Sequence, residues 1–318
     1  MIYWRLSGFY LFYFASLGAL LPYWSLYLKS LDFSITEIGQ LMAILMATKI
    51  VAPNVWGWIA DHTGDRMAII RLASLLSVIT FAGVFVSDAF WWMVVVLVLF
   101  SFFWNATLPQ FEATTMSHLG EEMHRYSGIR LWGSVGFIVA VASIGTLLGY
   151  FSVAALPYVL IALFTLIWLN SLCVPESAAG HLPIDQEPLR KVLQRPVVLS
   201  LLGVCFLMQA SHGAYYSFFS LYMEGFGYST TVIGQLWALG VLAVWRLQPI
   251  AAGCVIDYPA LAADSALRRQ AVDHFVQPNL ACSQFWFVSR SNDLFGSFPV
   301  YRQPPGPRPG ALQQYQLW

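Results

Sequence analysis

Three ionisable side chains stand inside apolar runs of this sequence: Lys49 near the middle of one, Glu112 late in another and His212 within a third. Holding a charge in hydrocarbon is costly, so such residues are functional candidates by default. Lys49 has two readings. Its long stem can carry the ammonium past Pro53 to water, or the ammonium faces a central cavity and attracts a carboxylate substrate. Glu112 closes the stretch Asn105-Ala-Thr-Leu-Pro109-Gln-Phe-Glu112, in which Pro109 removes one helical hydrogen bond and favours a kink. A buried carboxylate that holds its proton more tightly can exchange it during a reaction cycle. The alternative is a structural ion pair with Arg130, which opens another apolar run and reads as a lock between that run and the runs that hold Lys49 and Glu112. Gln209, His212 and Tyr216 stand at i, i+3 and i+7, which places them on one helical face. An imidazole with an unperturbed pKa of about 6.5 is a possible proton site on that face; the plain alternative is a satisfied core histidine. No Walker A sequence, nucleophile constellation or metal-ligand spacing appears, and the four cysteines form no CxxC. The sequence therefore gives no support to ATP drive, a metal, a cofactor or an enzyme.

The elements that must position these residues follow from composition. The chain has 318 residues, 58% hydrophobic, 16% aromatic and only 10% charged. A soluble domain carries about 25% charged residues, and a chain this size cannot hide so much apolar surface in one water-soluble core. Sixteen Lys and Arg balance sixteen Asp and Glu, so nothing points to nucleic acid. Crossing a bilayer takes about 20 apolar residues. Seven runs qualify, near Ser7–Leu28, Glu37–Ala60, Ala68–Val86, Phe90–Thr114, Leu131–Tyr150, Leu156–Cys173 and Leu199–Met223, and an eighth begins near Thr230. The first run is too long for a signal-peptide core and lacks a cleavage site, so it reads as a retained anchor. One set of connections carries Arg66 and Arg71, Arg125 and Arg130, then Arg190, Lys191 and Arg195, while the other carries Lys29 and little else. The positive-inside rule places the basic set, with the N-terminus, in the cytoplasm.

An internal repeat organises the spans. Ser25–Ala43 reads SLYLKSLDFSITEIGQLMA and Ser220–Ala238 reads SLYMEGFGYSTTVIGQLWA, with ten identities in nineteen positions at an offset of 195. The matches include polar positions at caps and turns, Ser34/Ser229, Thr36/Thr231 and Gln40/Gln235, which chance similarity between apolar helices does not explain. Ser34 and Glu37 form a candidate capping box for span two. Spans one and two thus recur as spans seven and eight, the pattern of transporters built from parallel halves around a site near mid-membrane.

Gly57-Trp-Ile-Ala-Asp61-His-Thr-Gly64-Asp-Arg66 resembles the loop-2/3 signature of the major facilitator superfamily, with His62 and Asp65 in place of usual basic residues. Asp61 sits at the carbonyl end of a helix, where the macrodipole disfavours an anion, so it needs a cation, and Arg66 or Arg130 can supply one. Gly64 permits the tight turn. Tyr126-Ser-Gly128-Ile-Arg130-Leu-Trp132-Gly133-Ser134-Val-Gly136-Phe137 and Gln209-Ala-Ser-His212-Gly-Ala-Tyr215-Tyr216-Ser-Phe218 are similar to the phenylpropionate permease family, to which nucleoside:proton symporters are related. The resemblance covers roughly residues 1–244. It implies an all-α polytopic fold and a monomer in the inner membrane. It also implies proton-coupled symport of a small aromatic carboxylate such as 3-phenylpropionate, with a nucleoside symporter as the alternative substrate class. A non-transporting membrane protein or pseudogene product is the alternative of another class.

The expected organisation is a complete six-span half over 1–173, a cytoplasmic linker over 174–196, the start of a second half over 197–245, and an aberrant tail over 246–318. Residues 245–318 hold eight of sixteen prolines and six of sixteen Lys and Arg. Arg246, Gln248 and Pro249 interrupt the eighth run, and no second loop-2/3 signature follows at the 195 offset. A polar tail is one reading. The other is a break in reading frame near residue 245, because Pro305–Trp318 admits codons that, read one base later, resemble the family's second-half loop before span eleven. On that reading the chain keeps the first half and part of the second, and by itself does not complete a transport cycle.

Overall fold

The computed structural model describes residues 2–120, 122–176, 194 and 196–256. Eight long helices run through them: α1 Ile2–Ser30, α2 Ile35–Thr63, α3 Arg66–Phe81, α4 Phe90–Leu119, α5 Tyr126–Phe151, α6 Leu156–Cys173, α7 Pro196–Gly225 and α8 Thr230–Ile256. No strand occurs among the described residues. Helices α1 to α6, with the short 3-10 turns that extend α3 and precede α6, are long and apolar enough to cross a membrane. The expected first span began at Ser7, yet α1 begins at Ile2 and has 29 residues. That is about 43 Å of helix against a hydrocarbon core of about 30 Å, so polar ends such as Arg5 extend the helix beyond the apolar stretch.

The eighth run departs from expectation. It was expected to end near Trp245, short of a bilayer, but α8 continues to Ile256 and has 27 residues, so the expected boundary at 245 falls inside a helix. Proline removes one backbone donor and bends a helix without necessarily ending it, so Pro249 is accommodated. Residues 257–318 of the expected tail lie outside the described residues, as do 177–193 of the expected linker.

Local chemistry explains the turns. Ser34 is extended and its hydroxyl accepts the Glu37 N–H at 3.3 Å, while the Glu37 carboxylate accepts the Ser34 N–H at 2.9 Å. This is the expected capping box, which satisfies two orphan donors at the start of α2. Gly64 ends α2 with φ 76° and donates to the Ala60 carbonyl. The repeat is also visible in the backbone. Asp32 N–H donates to Lys29 O at 3.0 Å and Phe33 N–H to Leu28 O at 3.4 Å; their counterparts, Gly227 to Glu224 O and Tyr228 to Met223 O, measure 2.8 and 3.2 Å. Asp32 (φ 63°) and Gly227 (φ 83°) fill the same left-handed position.

Helix α1 is buried along nearly its whole length and packs on α5, α6, α7 and α8. Its contact with α5 is backbone against backbone. A β-carbon on Gly136 would collide with the Leu11 carbonyl, and one on Gly18 would lie 2.8 Å from the Phe137 carbonyl oxygen. Small residues allow this approach, which lipid-embedded helices need because no hydrophobic gain drives them together. Helix α3 packs on both α4 and α6, the Phe100 ring of α4 meets the Phe164 ring of α6 at 4.8 Å, α2 lies on α4, and α5 continues into a seam with α8. At that seam Gly145 faces Gly234, the Tyr23 hydroxyl donates to the Val141 carbonyl at 2.6 Å, and Thr230 donates to the Gly145 carbonyl at 2.9 Å. The α1–α2 and α7–α8 turns lie at one end of the bundle, called distal below; the loop-2/3 signature lies at the opposite, proximal end.

Three substitutions check this geometry by thermal unfolding in detergent. Gly136→Val should destabilise by about 1–3 kcal/mol through overpacking against Leu11, whereas Gly213→Ala, which meets open space, should not lower the midpoint. Asp32→Gly should raise stability by up to about 1 kcal/mol, since glycine adopts positive φ without a Cβ clash.

Candidate functional site

Glu112 on α4 and Arg130 on α5 meet inside the bundle. Arg130 Nε stands 3.6 Å from Glu112 Oε1, and both side chains are nearly inaccessible, at 7% and 4% exposure. The α1–α5 contact determines the surroundings. Gly133, one turn after Arg130, has no side chain, and a β-carbon there would lie 2.8 Å from both Arg130 Nη1 and the Phe14 ring. The guanidinium therefore spreads over Phe14, its carbon 4.0 Å from the ring centroid, with the Tyr10 ring 5.4 Å away. A delocalised, weakly hydrated cation suits such aromatic faces. Tyr10 donates to Thr115 Oγ1 at 3.3 Å and stands edge-on to Phe111, which stacks on Phe9 at 3.7 Å. The result is a desolvated carboxylate–guanidinium pair in an aromatic sleeve of α1, α4 and α5. Chemically it can bind an anion at Arg130 or a proton at Glu112, each at the expense of the other contact.

The other sequence candidates are distributed around this pair. Lys49 is half-buried in α2, its Nζ 3.5 Å from Met46 Sδ. The neighbouring Thr48 hydroxyl donates to Ser101 at 2.8 Å and accepts from Asn105 at 3.1 Å, which clamps α2 to α4 beside the lysine. His212 and Tyr216 share a face of α7, with ring centroids 5.8 Å apart and planes 23° apart, and Tyr216 continues to Trp237 of α8 at 5.6 Å. Trp237 is held by its donation to Ser220 at 3.0 Å. Gln209 lies on α7 as expected; its side chain is outside the described ones. Asp61 pairs with Arg66 at 3.2 Å. Of the two cations considered for Asp61, Arg66 is thus the one beside it; Arg130 pairs with Glu112 of α4 and packs on α1, a helix that the sequence reading had not joined to it. A β-carbon on Gly57 would lie 3.7 Å from Gln110 Nε2, an ordinary contact, so no close approach demands glycine there.

Sequence reasoning missed a reciprocal clamp at the proximal end. Arg71 of α3 donates to the carbonyls of Ser171 and Val174 at the end of α6, and Arg5 of α1 donates to Cys173 O. Glu176 in turn accepts the Met67 N–H at the start of α3 at 3.1–3.2 Å. Cations thus meet the negative end of one helix and an anion meets the positive end of another. The signal was available in Val174-Pro-Glu176, read only as the beginning of a linker. The aromatic sleeve was missed because Tyr10 and Phe14 look like ordinary span residues.

These features define a polytopic α-helical membrane protein with a duplicated helix pair and an ionisable site inside its first half. The chain belongs to the MFS_1 like family of the major facilitator superfamily, whose sequence profile matches residues 3–247. Over 254 residues it is 29% identical to an Escherichia coli K12 protein named "Probable 3-phenylpropionic acid transporter", covering 76% of this chain and 64% of that one. Over 230 residues it is 30% identical to the maltose permease of Geobacillus stearothermophilus, covering 71% and 58%. The chain therefore spans less than two thirds of the length of these relatives. A crystal structure of a variant of the nucleoside transporter NupG shares the fold with a TM-score of 0.69 at 16% identity, covering 80% of this chain and 68% of that one.

The buried pair makes a stability prediction. Arg130→Met strands the Glu112 charge and should cost about 3–5 kcal/mol, whereas Arg130→Met combined with Glu112→Leu should recover much of that loss. Thermal unfolding of both variants in one detergent checks it.

Proposed function

We propose that this protein is a secondary transporter that couples protons to the movement of a small aromatic carboxylate such as 3-phenylpropionate. The observation that carries the reading is the desolvated Glu112–Arg130 pair in its sleeve of Tyr10, Phe14 and Phe111. Before binding, Glu112 carboxylate and Arg130 guanidinium neutralise each other. A substrate carboxylate displaces Glu112 from Arg130, and Glu112 takes one proton as it leaves. The site then holds a neutral acid, a cation and the substrate anion, so its net charge is unchanged and no isolated charge is left in a low-dielectric interior. Protonation and substrate binding are obligatorily linked. The aromatic walls favour a ring next to the carboxylate. Lys49 on α2 supplies a second cation to draw in the anion, and the Gln209, His212 and Tyr216 face of α7 contacts the ring from the second half. Asp61, Gly64 and Arg66 hold the α2–α3 turn during the rocking of the halves that alternating access requires.

On this reading the proximal end, with the N-terminus and the Arg-bearing connections, faces the cytoplasm and the protein is a monomer in the inner membrane. The similarity to the phenylpropionic acid transporter supports the substrate class. The shared fold with a nucleoside transporter favours a nucleoside as the second reading, since a base also presents an aromatic face.

Equilibrium binding to the purified chain tests the coupling. In weakly buffered solution, 3-phenylpropionate binding should take up about one proton per ligand, and the affinity should fall as pH rises, approaching tenfold per pH unit, because the complex holds the extra proton. Glu112→Gln should bind with no proton uptake, and Lys49→Met should weaken binding several-fold. Competition by uridine without competition by 3-phenylpropionate would replace the carboxylate reading with the nucleoside one; binding of neither ligand would overturn both.

A further inference from the structure

The two repeats meet at one particular pair of side chains. Lys29 at the end of α1 and Glu224 at the end of α7 form an ion pair, Nζ to Oε2 2.8 Å. Their separation in sequence is 195, the offset of the repeat itself. Residues at equivalent positions of two related units touch each other only near the axis that relates them. The matching turn hydrogen bonds and the shared left-handed position at Asp32 and Gly227 show that both helix ends are built alike. Identical residues here would place like charges together. Instead the repeats differ at this position, SLYLK in the first and SLYME in the second. The pair also accounts for Lys29, the isolated cation of the less basic set of connections, by neutralising it.

The pair stands at the same end of the bundle as the other contacts between the halves described above. There α5 and α8 approach through Gly145 and Gly234, Thr230 holds the Gly145 carbonyl, and a β-carbon on Gly39 of α2 would reach the Phe218 ring of α7 at 3.2 Å. These contacts are made by glycines, hydroxyls and an aromatic ring, so they can close or part without moving a charge. Lys29 and Glu224 are partly exposed, at 51% and 38%. An exposed pair is weak and salt-sensitive, which suits a contact that must break in every cycle.

We propose that Lys29 and Glu224 form an ionic latch on the pseudo-twofold axis that holds the distal ends of the two halves together and biases the protein toward the state closed on that side. The latch rests on the transporter reading for its purpose, but its test needs no substrate. Ala238→Cys on α8, buried one turn beyond Gly234, serves as reporter in a background with the four native cysteines replaced by serine. The rate of labelling by a charged, membrane-impermeant thiol reagent added from the distal side of oriented proteoliposomes measures distal opening. Lys29→Glu and Glu224→Lys should each speed labelling by about two- to tenfold, because a weak attraction becomes a repulsion. The exchanged double variant, Lys29→Glu with Glu224→Lys, should return to within about twofold of the reporter parent, since the axis makes the two positions interchangeable. Raising salt from about 0.05 to 1 M should speed labelling of the parent and slow that of the repelling single variants. Unchanged rates in both single variants would overturn the latch. So would single-variant acceleration that the exchange does not reverse, which would mark a loss of fold instead of a lost pair; unfolding midpoints of all four proteins separate those two causes. Failure of ligand binding with an intact latch response would instead count against the substrate reading alone.

Discussion

The contact of α1 with α5 is the constraint on which the rest depends. Gly136 lets the α5 backbone lie on Leu11, and Gly18 lets α1 lie on Phe137. In a bilayer the surroundings of a helix are as apolar as its partner, so association rests on packing and hydrogen bonds, not on water release. The close approach gives α1 neighbours on nearly every side. It also fixes the relative height of two parallel helices. That height brings Phe14 beside Gly133 and under Arg130, and it carries Tyr23 to the α5 carbonyl at Val141. The ionisable site and the seam to the second half are therefore consequences of one packing decision.

Several polar groups in the bundle find partners within it. Thr48, Ser101 and Asn105 hydrogen-bond across α2 and α4. Many serines and threonines, such as Ser77, Thr80 and Thr115, bond back to carbonyls of their own helix. Glu112 and Arg130 neutralise each other. Such pairs give little net stability once desolvation is counted. At the proximal end the same electrostatics acts on helix termini, through Arg71 on the carbonyls of α6 and Glu176 on the first turn of α3.

The duplicated helix pair shows how symmetry and asymmetry are divided. Caps and turns match closely because the backbone needs them: Ser34 and Ser229 each accept from the first turn of the following helix. Some side chains inside the spans diverge. Leu17, Leu20 and Leu21 of α1 correspond to His212, Tyr215 and Tyr216 of α7. One copy is a packing core and the other carries polar rings, stacked toward Trp237.

The sequence alone determined the helical class, the apolar spans of the first half, the capping box at Ser34 and Glu37, and the repeat. Each of these rests on local spacing, which hydrophobic length and turn chemistry specify without tertiary context. It also singled out Glu112 and Arg130, because charges in apolar runs are rare. What spacing could not decide was partnership. Two cations were available to Asp61, and only packing placed Arg66 beside it and turned Arg130 toward Glu112. The aromatic sleeve was illegible because Tyr10 and Phe14 acquire their role from a helix more than a hundred residues away. The end of α8 was misplaced because a proline in a polar patch looks like a stop when read locally, while the helix runs on to Ile256. The meeting of Lys29 with Glu224 was implicit in the 195-residue offset, but an offset says only that two residues are equivalent. That they lie near the axis and touch is a fact of three dimensions, decided by how α1 and α7 converge.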